Sequence, residues 1–336
     1  MTDSTGPTTT TSPAALPDVV RLRTGLDAER LQNELFSLGE RFSPQATFDA
    51  GTIIENEYQG WRVLSLRGPD GDPRRTDAGG PGLADYANTP FMDKVPYTAS
   101  VLSGLGPALR AVRYMSLEPG ASVGEHTDYP YGLPVGWARL HMPITTNDQA
   151  VIVIDGAEQR WQPGELWYAD FGKPHHLYNN GDRPRVHLVI DCFCDPGLLG
   201  LFPAEYRALI SPTEMMLRAD SRPAAPADLE RLAGPLSVPA AFLLPYADPP
   251  SADEWSDPTR PDAVGALLVR DGRLILVAEG EPDAVLEHIG DNEFRYLCWT
   301  EERTLRFETH HGVRHDVFRY RHGSYSTEVA RAGAST

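Results

Sequence analysis

The chain has 336 residues, 30 of them basic and 47 acidic for a formal net charge of −17, and 41% are hydrophobic. That balance argues against nucleic acid or an anionic membrane as the partner, since both reward clustered Lys and Arg, and no apolar run approaches the roughly 18 residues of a membrane span. The charge fits a small-molecule substrate better, and three cysteines, two of them Cys192 and Cys194, supply neither a disulfide framework nor a Cys-x-x-Cys pair for zinc, which points to a reducing, cytoplasmic compartment.

Residues 1–17 are rich in Thr and Pro, lack basic and apolar signal regions, and read as a disordered leader. Leu31, Leu35, Leu38 and Phe42 recur at helical spacing and predict a helix packed against a sheet. Residues 48–66 suit strands. The stretch 68–82, rich in Gly, Pro, Asp and Arg, predicts a long exposed loop, and 96–109 a second helix. Short strands are then predicted at 111–117, 138–145, 150–154, 165–169 and 185–193, separated by turn signals such as Pro119-Gly120, Asp155-Gly156 and Pro163-Gly164. This pattern defines a mainly β domain over 18–220, a double-stranded β-helix (a jelly roll, cupin-like) with flanking helices and an open mouth as the usual ligand site. A helical stretch is predicted at 204–217. Residues 221–261, dense in Pro, Ala and Asp, read as a linker. Beyond it, 264–269 and 274–277 flank an Asp271-Gly272 turn as a hairpin, and 294–299 and 304–309 suit strands, so 262–336 is expected to be a smaller C-terminal α+β module.

The chemistry-bearing residues lie in the β-rich stretch. Residues i and i+2 of an extended segment project to one side, so His126 and Asp128 of His126-Thr127-Asp128 can reach one ion. A jelly roll can bring His175 beside them from a strand distant in sequence. Two histidines and one carboxylate are the ligand set for non-haem iron(II), leaving positions for a bidentate cosubstrate and dioxygen. His176 competes with His175; neighbouring strand residues face opposite ways, and the ten-residue spacing to Arg185 favours His175. The Arg185 fork suits the far carboxylate of a dicarboxylate cosubstrate. Arg139 and His141, again an i, i+2 pair, are placed to hold its end nearer the metal. Arg113, on the strand leading to His126, is the cation left for a substrate carboxylate. Tyr129 and Trp137 are candidates for the pocket wall, with core packing as the competing reading. His310, His311, His315 and His322 lack carboxylate or Cys partners at ligand spacing and are assigned no function.

Residues 113–120 leading into His126-Thr127-Asp128, then Arg139-Leu140-His141, Gly164-Glu165-Leu166-Trp167, Pro174-His175 and 184–191 resemble the aspartyl/asparaginyl β-hydroxylase family of iron- and 2-oxoglutarate-dependent oxygenases. The likeness covers roughly residues 48–195 and looks most like the bacterial cis-proline hydroxylase branch. It implies Fe(II) held by His126, Asp128 and His175, and 2-oxoglutarate held by Arg185 with help from Arg139 and His141. Animal aspartyl hydroxylases have Gly at the position of Asp128, a departure that favours the free-amino-acid hydroxylases. The expected reaction is hydroxylation of an unactivated C–H of an amino acid or amino-acid-derived small molecule in specialised metabolism. The same chemistry ending in desaturation or cyclisation, a carrier-bound or peptide-bound substrate, and a homodimer all stay open. Halogenation needs the carboxylate position vacant, and Asp128 fills it. A non-catalytic jelly-roll sensor of metal or 2-oxoglutarate is the competing class, and the complete ligand set argues against it. A cupin-type isomerase or hydrolase would leave Arg185 unexplained.

Overall fold

The structure, a computed structural model, describes residues 16–39, 42–49, 52–55, 60–128, 131–243, 255 and 259–333. Most of the expected leader, and Tyr129, lie outside the described residues.

The chain opens with β1 (Val19–Arg23) and α1 (Ala28–Leu38). Asp27 caps the helix by accepting the Arg30 backbone N–H at 3.0 Å, and Gly39 ends it in the left-handed conformation. Leu31, Leu35 and Leu38 form its buried stripe, and Phe42 packs on the same core from beyond the helix end. Next come β2 (Ser43–Pro44), the hairpin of β3 (Ala46–Asp49) and β4 (Thr52–Glu55), β5 (Trp61–Pro69), β6 (Tyr86–Asn88) and α2 (Pro96–Ser103). The second helix stops short of the expected 109, since Gly104, Gly106 and Pro107 do not propagate a helix. The strands β7 (Leu109–Leu117), β8 (Ser122–His126), β9 (Trp137–Thr145), β10 (Ala150–Ile154), β11 (Ala157–Gln159), β12 (Leu166–Ala169), β13 (His175–Asn179) and β14 (Arg185–Phe193) follow, then α3 (Pro196–Leu201) and α4 (Ala204–Arg207). The helix expected over 204–217 is only this one turn; Pro212 interrupts it.

Two antiparallel sheets result. The larger runs β1-β12-β9-β14-β7-β5-β2, with β6 on β5, and the smaller runs β11-β10-β13-β8. Leu117 and Ala169 of the larger share one buried cluster with Val123, Ile152, Ile154 and Leu177 of the smaller, so the sheets face each other as a jelly roll. The outer face of the larger sheet carries the helices: Leu140, Met142 and Ile144 of β9 and Leu188, Ile190 and Cys192 of β14 pack with the α1 leucines. The two-residue period of a strand therefore turns the alternate set inward, namely Arg139 and His141 on β9, Arg185, His187, Val189 and Asp191 on β14, and Arg113 and Met115 on β7.

The segment expected as a linker carries secondary structure. It holds α5 (Pro226–Leu232) and β15 (Gly234–Val238), which pairs with β16 (Ala263–Arg270); residues 244–254 and 256–258 lie outside the described set. From β15 the chain continues as an eight-stranded antiparallel meander through β16, β17 (Arg273–Ala278), β18 (Ala284–Gly290), β19 (Glu293–Tyr296), β20 (Arg303–His310), β21 (Val313–His322) and β22 (Tyr325–Ala332). This sheet does not close a core of its own. Val135, Trp137 and Phe193 of the jelly roll lie in one buried cluster with its Leu267, Phe294, Trp299 and Phe318. No helix among the described residues is long and apolar enough to cross a membrane.

Candidate metal centre

Neighbouring strands β8 and β13 set His126 directly opposite His175. Asp128 lies just past β8, anchored where its N–H donates to the Phe171 carbonyl at 2.8 Å. The ligand atoms of His126, Asp128 and His175 lie within 4.8 Å of one another. His126 Nε2 is 3.7 Å from Asp128 Oδ1, and His175 Nε2 is 3.9 Å from Oδ2. Each imidazole donates its Nδ1–H to a carbonyl, His126 to Gly124 at 2.8 Å and His175 to Lys173 at 2.9 Å. Those bonds fix the tautomer that leaves the Nε2 lone pair for a metal. Burial also lowers the His175 pKa, which favours the neutral, ligating ring. His176 faces away, half-buried, 4.0 Å from Glu125 and stacked on Tyr178. The donor set thus fits a divalent ion of the iron type, and among the described residues it is the one such group.

Arg185 is buried, and among the described residues no carboxylate pairs with it; its Nη2 donates to His187 Nδ1 at 2.8 Å. Burial pulls its pKa down to about 9, still high enough to keep the guanidinium charged at neutral pH. Burial first, and the Arg185 charge second, push His141 and His187 well below the usual histidine value, so both rings are neutral. Because His187 Nδ1 accepts from Arg185, the 3.2 Å contact between the two Nδ1 atoms is a donation from His141. That leaves His141 Nε2 a buried acceptor without a partner among the described residues. In this state His141 has no proton to offer a carboxylate. It steadies His187 and, through it, Arg185, while stacking on Phe171 at 4.8 Å.

Arg139, expected to hold the cosubstrate, is committed elsewhere. Its Nε and Nη2 donate to the two oxygens of Asp191 at 2.7 and 3.3 Å, and its Nη1 donates to Asp128 Oδ2. Arg113, expected to hold a substrate carboxylate, is buried and paired with the same Asp191 at 3.0 Å; a second nitrogen reaches the Thr76 carbonyl at 3.4 Å. Burial alone would raise the Asp191 pKa, but Arg139 and Arg113 hold it down at about 2. Trp137 is not a pocket wall either. It is fully buried, stacked on Phe193 at 4.7 Å and edge-on to Trp299 at 5.0 Å, in the seam with the C-terminal sheet.

The cavity that contains His126, Asp128, His175, Arg139, His141 and Arg185 is walled by Trp61, Ile152, Phe171, Leu177 and Val189. Those apolar residues carry no signature that separates a pocket wall from a core. Asp191 carried one, since it shares the inward period of Arg185, His187 and Val189 on a single strand.

A jelly roll holding two histidines and a carboxylate beside a buried arginine is the frame of a metal-dependent oxygenase. Residues 27–194 match the family model for Aspartyl/Asparaginyl beta-hydroxylase, and the chain belongs to that family. It is similar to the L-proline cis-4-hydroxylase of Rhizobium meliloti (strain 1021), 28% identical over 105 residues; the match spans 31% of this chain and 37% of that enzyme's length. Similar solved structures include an oxidoreductase of the 2OG-Fe(II) oxygenase family from Burkholderia pseudomallei, at 12% identity and TM-score 0.34 over 52% of this chain and 85% of that one. A Pseudomonas putida prolyl-4-hydroxylase is similar at 14% identity and TM-score 0.31, over 52% of this chain and 91% of that one.

Proposed function

We propose that this chain is an Fe(II)/2-oxoglutarate-dependent dioxygenase that hydroxylates an unactivated C–H bond of an amino acid or amino-acid-derived small molecule in specialised metabolism. Arg185 carries the reading. A three-ligand site alone serves many chemistries, but a buried guanidinium in the same cavity with no carboxylate partner among the described residues calls for an anion. A dicarboxylate spanning from the ion to Arg185 answers both, and the family supplies 2-oxoglutarate as that molecule. His126, Asp128 and His175 would hold the iron, which when bound supplies the activation of dioxygen for attack on C–H. Arg185 takes the far carboxylate through two parallel charge-assisted bonds. Neutral His187 and His141 keep it aimed without adding a competing charge. Arg139 holds one oxygen of Asp128 and so orients that ligand. Trp61, Ile152, Phe171 and Leu177 give the cavity its apolar wall.

The likeness to a proline hydroxylase favours a free amino acid over a peptide. The test is to incubate the iron-loaded protein with 2-oxoglutarate and a panel of free amino acids, reading succinate and the gain of one oxygen in the product. Stimulated succinate with an oxygenated product is expected. Cosubstrate binding with no succinate under any condition would sink the catalytic reading and leave the sensor.

A further inference from the structure

The family match ends at residue 194, and nothing in it accounts for the C-terminal sheet. That sheet grips two loops of the jelly roll. In the first, residues 70–85, the Gly82 N–H donates to the Leu297 carbonyl at 3.0 Å, and the Val285 N–H donates to the Gly82 carbonyl at 2.7 Å. Gly82 has φ +72, and a Cβ there would stand 2.9 Å from the Ala284 Cβ and 3.0 Å from the Val285 oxygen, so the close approach requires glycine. Asp85 on the same loop accepts from Arg273 at 2.8 Å. Arg110, buried against the rings of Tyr86, Trp137 and Trp299, donates to the loop carbonyl of Gly79 at 2.9 Å and to that of Cys298 in the sheet module at 3.1 Å. In the second loop, residues 131–137, the Pro134 carbonyl accepts from Gly323 at 2.7 Å, and Trp137 meets Trp299.

Both loops lead to one side chain. The first reaches Arg113 through the Thr76 carbonyl, then Asp191, then Arg139. The second carries Tyr131, whose ring lies 4.1 Å from the Arg139 guanidinium and whose N–H donates to the Asp128 carbonyl at 2.9 Å. Arg139 in turn holds the Asp128 carboxylate. Arg185 is remote from this chain of contacts. It starts β14 and Asp191 lies near its end, roughly 20 Å away at the rise of a strand. A cosubstrate extended toward Arg185 leaves the Arg139 and Tyr131 end for the substrate.

We propose that the C-terminal sheet is a brace for the substrate side of the metal centre. By fixing the 70–85 and 131–137 loops it sets Arg139 and Tyr131, and so governs how the substrate meets the site and, through the hold of Arg139 on Asp128, how firmly the metal is bound, while 2-oxoglutarate capture at Arg185 stands apart from it. This rests on the dioxygenase reading above.

The test uses the full chain with Gly82→Val, and Gly82→Ala as the milder wedge that decides should the valine variant fail to fold. Three quantities are read: amide hydrogen exchange over 70–85 and 131–137, Mn(II) and 2-oxoglutarate affinity, and the ratio of succinate formed with the best amino acid to that formed without it. Faster exchange in both loops, a weakened Mn(II) affinity through Asp128, an unchanged 2-oxoglutarate affinity at saturating Mn(II), and a ratio lowered roughly tenfold or more are expected, since small misplacements far from the chemistry cost that much. Exchange that rises in only one loop or neither, a ratio equal to the parent's, an unchanged Mn(II) affinity, or a loss of 2-oxoglutarate affinity at saturating Mn(II) would each overturn the brace. A parent protein that makes no succinate at all would instead count against the dioxygenase reading itself.

Discussion

His175 and His176 are adjacent in sequence yet opposite in fate. His175→Ala removes a donor aimed at the ion, so iron(II) or Mn(II) binding and succinate formation should be lost, whereas His176→Ala should keep both; calorimetric metal titration of the pair decides it, and the reverse outcome would name the wrong ligand. Arg185→Lys keeps a charge but not the fork, so the KM for 2-oxoglutarate should rise by about tenfold or more with metal affinity intact. Asp191 makes a different demand, because it is fully buried between two guanidiniums. Asp191→Asn leaves buried Arg113 without its carboxylate and Arg139 with Asp128 alone, and should cost about 3–5 kcal/mol in urea unfolding. Its folded pKa is depressed, so the stability it supplies is present above the unfolded value of about 3.9 and is lost as pH falls through that value toward about 2. The asparagine variant should lack that part of the acid transition, and identical acid profiles would contradict the assignment. The three candidate ligands are legible in the sequence because their types and spacing are rare together. The partners of Arg113 and Arg139 are not, since one acid among 47 is singled out only when strand register places it.

Among the elements, the strands that build the core could be read and those that build the site could not. Residues 150–154 and 185–193 form strands with the expected bounds because the first is a continuous apolar run and the second places an apolar residue at every outward position, Val186, Leu188, Ile190 and Cys192. β8 and β13, which carry His126 and His175, went unread. Ser122–His126 has one buried residue, and in His175–Asn179 a histidine and an asparagine occupy inward positions where a core strand would place aliphatics. The composition of 68–82 predicts an exposed loop, but residues 68–69 finish β5 and the loop buries Thr76, whose carbonyl accepts from Arg113, and Asp77, which pairs with Arg75. Helix α1 supports the sheet from its outer face, away from the ion. Leu31→Ala should therefore cost about 2–5 kcal/mol of stability by leaving a cavity, with Mn(II) affinity unchanged; a matching loss of metal affinity would show that the outer face is coupled to the centre.

At the scale of the molecule, the domain boundary drawn from Pro-rich composition placed a linker where a helix and a strand belong to the second sheet. Composition marks irregular backbone, but it cannot show that Val135, Trp137 and Phe193 complete the other module's core. A shared core implies shared cooperativity. The full chain should unfold in a single thermal transition, with far-UV dichroism and tryptophan emission coincident, and two resolved transitions would mean that the halves fold independently. The seam also carries an optical signature. Trp137 and Trp299, edge to face at 5.0 Å with Arg110 against both rings, are close enough for their excited states to couple, so the near-ultraviolet dichroism should contain a band belonging to neither indole alone. Trp299→Phe should abolish that band and leave the contribution of the Trp161 and Trp167 pair, giving a spectroscopic reading of whether the two sheets are joined that needs no label, metal or substrate.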